Sequence, residues 1–282
     1  MQPDQEIVDR WSRSAPFWEK HRDIIRQMFA PITDALIEDA RIGSGETVLD
    51  VGTGSGEPAL TLATLVGPEG KINAIDPIPG MVEAARREAD RQGLKNVQFD
   101  IAFADHLPFP ADTFDAAVSR LGAMFFPSPI DGIREILRVL KPGRKLALAV
   151  WHFAEKNPFH SVLSDVMDRF VEPPPVAPDA LDAFRFAPKG KLLKVLVEAG
   201  VEAPSERLLQ FNIEASLSVE DYWALRREMS EKLREKLKAL PPAQQSAVDR
   251  EALKALAAYS TGTQMSFPGE VLIVSGTKPH PT

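Results

Sequence analysis

Apolar residues along this chain follow two alternating spacings. The short runs Thr47–Val51, Lys71–Ile75, Val97–Ile101, Phe114–Val118 and Lys145–Val150 are mostly apolar and read as buried strands. Between them the apolar positions recur at helical spacing. Over 128–140, Ile133, Ile136, Leu137 and Leu140 form one stripe. Ser128 and Pro129 suit the helix start, Asp131 stands at the capping-box distance, and Lys141-Pro142-Gly143 supplies the stop. Helical patterns over 81–92 and 57–66 end at Gly93 and Gly67, with Pro58 in the first turn of the latter. Strand and helix alternate, which predicts an α/β fold built on a parallel, doubly wound sheet.

The flanks depart from that alternation. The first forty residues read as helices punctuated by Pro16 and Pro31. After Trp151, Asn157-Pro158 opens a helix over 157–171 with Phe159, Val162, Leu163, Val166, Met167 and Phe170 on one face, and prolines 173, 174, 175 and 178 follow as a stiff connector. A helix over 189–199 closed by Gly200, a strand over 207–213, a helical stretch over 219–258 broken at Pro241-Pro242 and a last strand over 270–274 complete the pattern. The predicted organisation is an N-terminal helical cap (1–40), a core (41–152), a lid insertion (153–188), the core continued (189–214), a second helical cap insertion (215–262), and a last core strand with its tail (263–282).

Composition narrows the chemistry. The 282 residues are 44% apolar and 26% charged with a net charge of −7, an ordinary globular balance. Cysteine is absent, which removes disulfides, zinc-thiolate sites, iron–sulfur clusters and thiol nucleophiles together and fits a reducing compartment. The stretch Met1–Trp11 has no apolar signal core, and the longest apolar run, Leu146–Trp151, is far short of the ~20 residues a bilayer requires. A cytoplasmic location without membrane insertion is expected. The negative charge and the lack of a Lys/Arg cluster argue against nucleic acid as a partner.

The most informative segment is Val48–Leu60, where Asp50-x-Gly52-x-Gly54-x-Gly56 links a strand to a helix. Such a turn at a strand's carboxyl end is a nucleotide-binding turn. Laid on Gly52, the dinucleotide fingerprint G-x-G-x-x-G puts Glu57 where its third glycine belongs, and the P-loop Lys-Ser/Thr pair is missing. About twenty residues on, Asp76 ends the run Ile72–Asp76, where a carboxylate can accept both hydroxyls of a ribose. A dehydrogenase would place an acid there too.

Together with the segment Phe103–Asp115, the tetrapeptide Ser119-Arg120-Leu121-Gly122 and Arg138–Gly143, these motifs cover roughly Thr47–Trp151. In order and spacing they resemble the class I S-adenosylmethionine-dependent methyltransferases, in the branch containing the ubiquinone/menaquinone C-methyltransferases. One departure is Arg144, standing where that pattern carries a second glycine after the Lys-Pro pair. The resemblance implies a mostly parallel, Rossmann-like sheet with an antiparallel last strand, S-adenosylmethionine as cofactor and S-adenosylhomocysteine as product. It also implies cofactor contacts from Asp50, Gly52, Thr53, Gly54, Gly56, Asp76, Pro77, Met81, Ala104, Asp105, His106, Ser119 and Arg120. Asp105 would meet the adenine amino group, and Ser119–Gly122 would face the sulfonium.

Methyl transfer is an in-line displacement that chiefly needs alignment in a dry pocket, so few obligatory catalytic residues are expected. His152, at the end of the fifth strand, is the candidate general base. Trp11, Trp18, Met124, Phe125 and Trp151 are candidates for an apolar pocket, pointing to a small apolar or aromatic acceptor of the quinone, phenol or polyketide kind. The helix over 157–171 would be its lid, or else its apolar face buries against the sheet or forms a homodimer contact. The DNA amino-methyltransferase signature Asn/Asp-Pro-Pro-aromatic is missing after the fourth strand, and no acidic constellation there predicts a metal. Two other readings compete: a non-catalytic protein that binds or senses S-adenosylmethionine, and a nicotinamide dehydrogenase, which Glu57 disfavours.

Overall fold

The structure is a computed structural model that describes residues 3–172 and 180–281. Seven strands form one sheet: β1 (Thr47–Val51), β2 (Lys71–Asp76), β3 (Val97–Ile101), β4 (Phe114–Arg120), β5 (Leu140–Trp151), β6 (Glu202–Ala215) and β7 (Met265–Thr277). Their spatial order is β3-β2-β1-β4-β5-β7-β6. The first five are parallel, and β7 runs antiparallel to both β5 and β6. Val48, Leu49, Ile72, Leu146 and Leu148 are fully buried, the continuous apolar burial of a sheet covered on both faces. The order reverses between β1 and β4, so the crevice a ligand uses in such a sheet lies at the carboxyl ends of those strands.

The connecting helices are α4 (Ala59–Val66), α5 (Pro79–Gln92), α6 (Pro129–Val139) and α8 (Lys191–Ala199). Over the carboxyl edge lie α1 (Pro3–Lys20), α2 (Arg22–Met28), α7 (Pro158–Met167), α9 (Val219–Met229), α10 (Glu231–Ala239) and α11 (Pro242–Leu256), while α3 (Ala30–Ala40) packs across the face of β4, β5 and β7. The heptad-like spacing of Ile7, Trp11, Ser14 and Trp18 turns one face of α1 toward that edge. Two ion pairs tie this layer to α5: Arg87–Glu19 at 2.8 Å and the buried Arg22–Glu88 pair at 2.8 Å.

Several boundaries differ from the sequence expectation, each for a local reason. α4 begins at Ala59, not at 57; residues 54–58 form a turn, Pro58 precedes the helix, and the Asp50 carboxylate reaches from β1 to accept the Ala59 N–H at 3.1 Å. Ser128 does not cap α6 by accepting a backbone N–H; its hydroxyl donates to Asp131 at 2.5 Å. α7 stops at Met167, short of 171. The helical stretch from 219 breaks at Ser230 as well as at the prolines, because the Ser230 hydroxyl accepts the Leu233 N–H and starts a new helix. β6 and β7 outrun the runs expected from sequence: their antiparallel ladder continues from Glu202↔Thr277 to Ala215↔Met265, taking in the half-exposed start of β6 and, in β7, Pro268 and Gly269. The prolines 173–178 lie outside the described residues.

Candidate cofactor and acceptor site

Two adjoining cavities open at the carboxyl edge. The first, about 150 Å³, is lined by the segments that follow β1, β2, β3 and β4. After β1 the chain turns back so that the Gly52 and Thr53 N–H groups both donate to the Ile75 carbonyl, at 2.8 and 3.0 Å, locking the turn to β2. Asp76 completes the lock: its carboxylate accepts the Gly54 N–H at 2.9 Å through one oxygen and the Ile78 N–H at 3.0 Å through the other. Burial pushes the Asp76 carboxyl up to about 6, against those two bonds. Each oxygen keeps a second lone pair for a further donor.

Gly54 sits at φ +56, and a Cβ built there would meet nothing within 4 Å, so the turn presents bare backbone to open space. Gly56 serves packing instead. At φ +114, its Cβ would stand 2.8 Å from Leu60 Cδ1 and 3.2 Å from Ala85 Cβ, so its hydrogen lets α4 and α5 close on the turn. Gly122 is equally tight, with a Cβ 2.8 Å from the Ser119 hydroxyl. That hydroxyl and the Trp18 indole N–H are buried with no hydrogen-bond partner among the described residues.

Of the sequence candidates, Gly52, Thr53, Gly54, Asp76, Pro77, Met81, Ala104 and Arg120 meet on this one cavity. Asp50, Gly56, Asp105, His106 and Ser119 do not line it. Asp50 is wholly buried beneath the turn as the cap of α4; burial drives its carboxyl up to about 7, while Arg120 and the Ala59 N–H pull the other way. The Arg120 guanidinium donates to the Thr33 hydroxyl at 2.9 Å and the Glu57 carbonyl at 3.3 Å. Asp105 is half-buried and His106 exposed, their side chains 3.8 Å apart.

The second cavity, about 370 Å³, lies beside the first and shares Trp11, Trp18, Phe29, Leu121 and Phe125 with it. All five pocket candidates, Trp11, Trp18, Met124, Phe125 and Trp151, line it. Trp11 stands edge-on to both Trp18 and Phe125, at centroid distances of 5.7 and 5.3 Å. Leu121, on the shared wall, holds φ +61, a left-handed backbone that costs a leucine about 1–2 kcal/mol. Such strain gathers at functional sites.

His152 lines neither cavity. Its ring is buried, with Nδ1 2.8 Å from a Glu270 carboxylate oxygen. Asn157 knits the same junction, donating to the carbonyls of His152, Phe153 and Glu270 and accepting the Glu270 N–H at 2.9 Å. Sequence reasoning passed over Arg22 on the first cavity and His160 and Arg226 on the second. Arg22 carried no motif, and His160 and Arg226 reach one wall from helices more than sixty residues apart.

Residues 42–174 match the family model described as "Methyltransferase domain". Three curated relatives align with part of the chain. Aklanonic acid methyltransferase DauC of Streptomyces sp. (strain C5) is 32% identical over 43% of this chain and 55% of its own. The uncharacterized methyltransferase YcgJ of Bacillus subtilis (strain 168) is 31% identical over 59% and 64%. The ubiquinone/menaquinone biosynthesis C-methyltransferase UbiE of Pseudomonas fluorescens (strain SBW25) is 35% identical over 48% and 51%. The chain thus spans less than two thirds of the length of each. The crystal structure of YcgJ superposes with a TM-score of 0.55 and 20% identity, covering 88% of this chain and 98% of that one, a likeness of fold. With the sheet order β3-β2-β1-β4-β5-β7-β6 and the glycine turn after β1, residues 42–174 are similar to a methyltransferase domain of the class I S-adenosylmethionine-dependent kind.

Proposed function

We propose that this chain moves the methyl group of S-adenosylmethionine to a small apolar or aromatic acceptor of the quinone, phenol or polyketide kind. The observation that carries this reading is the pair of adjoining cavities, one on the glycine turn and one walled by aromatic side chains, which share Trp11, Trp18 and Phe125. When bound, the cofactor supplies a methyl group on a positive sulfur that leaves as a neutral thioether.

The chain's own residues bind, orient and exclude water. Asp76, with spare lone pairs on both oxygens, accepts the ribose hydroxyls. Gly52, Thr53 and Gly54 admit the amino-acid end to the backbone, and Pro77, Met81 and Ala104 pack the nucleoside. Asp50 acts one step back, by fixing the start of α4, and Gly56 and Ser119 act through packing at the turn. Asp105 and His106 follow Ala104 in the chain but do not themselves line the cavity. Trp11 and Trp18 keep water from the junction of the two cavities, where attack on the methyl group needs a dry path. His152, held by Glu270 away from both cavities, is assigned to joining β5 to β7 and not to proton transfer.

The relatives named for aklanonic acid and for ubiquinone/menaquinone biosynthesis support an acceptor of this size and polarity. The test is calorimetric titration with S-adenosylhomocysteine followed by radiolabelled methyl transfer to a panel of quinols, phenols and polyketide acids. Saturable binding and labelling of one class are expected. Binding without labelling of any member would favour a non-catalytic sensor.

A further inference from the structure

Arg226 is a buried cation without a counter-charge. It projects from α9 onto the wall of the second cavity and is 8% exposed. Its guanidinium lies 4.0 Å from the centre of the Phe159 ring, its Nε has no hydrogen-bond partner, and no carboxylate among the described residues pairs with it. The polar group facing it is the Tyr222 hydroxyl, which burial holds in its neutral form. The two carboxylates on the wall are engaged elsewhere: Glu231 with Arg13, and Asp182 with the Phe184 N–H at 2.7 Å. A buried charge left in this state is costly unless an anion answers it, and a ring face meets only part of that cost.

A second unpartnered group stands on the same wall. His160, on α7, is packed edge-on against Trp151 at 4.7 Å and Phe184 at 5.4 Å, and its buried Nε2 has no partner among the described residues. Burial first, and then the nearby Arg226 charge, hold this imidazole well below its ordinary titration range, so it stays neutral and can offer one N–H. Of the wall's other cations, Lys236 pairs with Asp168 at 2.9 Å and Arg10 donates to the Leu181 carbonyl at 3.0 Å, so Arg226 is the buried one with no carboxylate against it among the described residues.

We propose that the second cavity selects an apolar or aromatic organic anion, a carboxylate, phenolate or enolate, whose charged oxygen docks against the Arg226 guanidinium and accepts a hydrogen bond from His160 Nε2. The inference deepens the function proposed above, on which it rests for the neighbouring cofactor. In it the acceptor arrives already ionised, and no side chain has to take its proton. The aromatic wall holds the hydrocarbon body, while Arg226 rejects neutral molecules of the same shape by leaving its own charge unanswered.

The experiment titrates the full chain with 2-naphthoate and, separately, with neutral 2-naphthamide, following tryptophan fluorescence from Trp11, Trp18 and Trp151 and confirming stoichiometry by calorimetry. Naphthoate is expected to bind one to one and at least about tenfold more tightly than naphthamide. Arg226→Met should erase that preference, and Arg226→Lys should keep part of it. Equal affinity for the two probes in the unaltered chain overturns the proposal, whether or not Arg226→Met folds. So does a preference that survives unchanged in folded Arg226→Met. A parallel titration with S-adenosylhomocysteine separates the two readings: its failure removes the cofactor assignment while the anion preference is still read directly.

Discussion

Asp76 holds a carboxyl whose charge state the ligand should decide. Burial raises it to about 6 from an ordinary value near 4, so without ligand its contribution to stability is fullest in acid and is lost as the pH climbs through about 6. Ribose hydroxyls donate to the ionised form and favour it. S-adenosylhomocysteine should therefore bind more weakly as the pH falls below about 6, with proton release on binding near that pH; calorimetry in buffers of different ionisation enthalpy reads both. Asp76→Ala should weaken binding by about 1.5–3 kcal/mol at pH 7.5, the worth of hydrogen bonds to a charged group. An unchanged affinity removes Asp76 from the site. That Asp76 and Gly54 fall side by side on one cavity was legible in the sequence because local spacing fixes their surroundings. Asp50 lies beneath the turn and off the cavity wall, since an acid that caps the next helix and an acid that touches a ligand occupy the same place at a strand's end. Arg226 and His160 gave no sequence signal, since their meaning lies in what packing removes from around them.

At the level of elements, the strand-to-helix turn divides two duties between neighbouring glycines. Gly54 faces open space and Gly56 faces α4 and α5. Gly54→Ala should cost only about 1 kcal/mol of stability yet abolish S-adenosylhomocysteine binding by filling the space beside the backbone. Gly56→Ala adds a steric clash to the same backbone penalty and should cost about 2–4 kcal/mol in urea unfolding. Equal losses at the two positions would deny the division. β1, β2, β4 and β5 and the helices between them were readable from apolar runs because both faces of those strands are buried, while β3, an edge strand buried only at Phe99, was readable from its short run between turn residues. The ends of β6 and β7 were not, because Pro268 and Gly269, residues that ordinarily break a strand, stand inside the β7 ladder opposite Asn212 and Phe211.

For the molecule as a whole, the two predicted helical caps behave as one roof. Arg13 pairs with Glu231, and Glu228 takes Lys20 at 2.7 Å and His21 at 2.6 Å, joining helices about two hundred positions apart in the chain. The pairs involving Lys20 and Arg13 are exposed and contribute little by themselves. The roof is held mainly by the side chains it buries, Ile7, Ala15, Leu233 and Leu237 among them. Binding of S-adenosylhomocysteine beneath α1 should slow amide hydrogen exchange in α1 and also in α9 and α10, which do not line the first cavity except through the shared roof. Protection confined to α1 would show two independent caps.

The position of β7 sets a timetable for the nascent chain. β7 follows every other strand in order of synthesis, yet it lies inside the sheet between β5 and β6. Until residues 265–277 leave the ribosome, the Leu146–Trp151 edge of β5 has no neighbour on that side, and β6 has nothing to pair with. Translation therefore carries an apolar strand edge in the open for more than a hundred codons, a standing invitation to pair with another chain. Slowed elongation beyond codon 151 should lengthen that exposure and raise dependence on chaperones, although the finished protein would be identical.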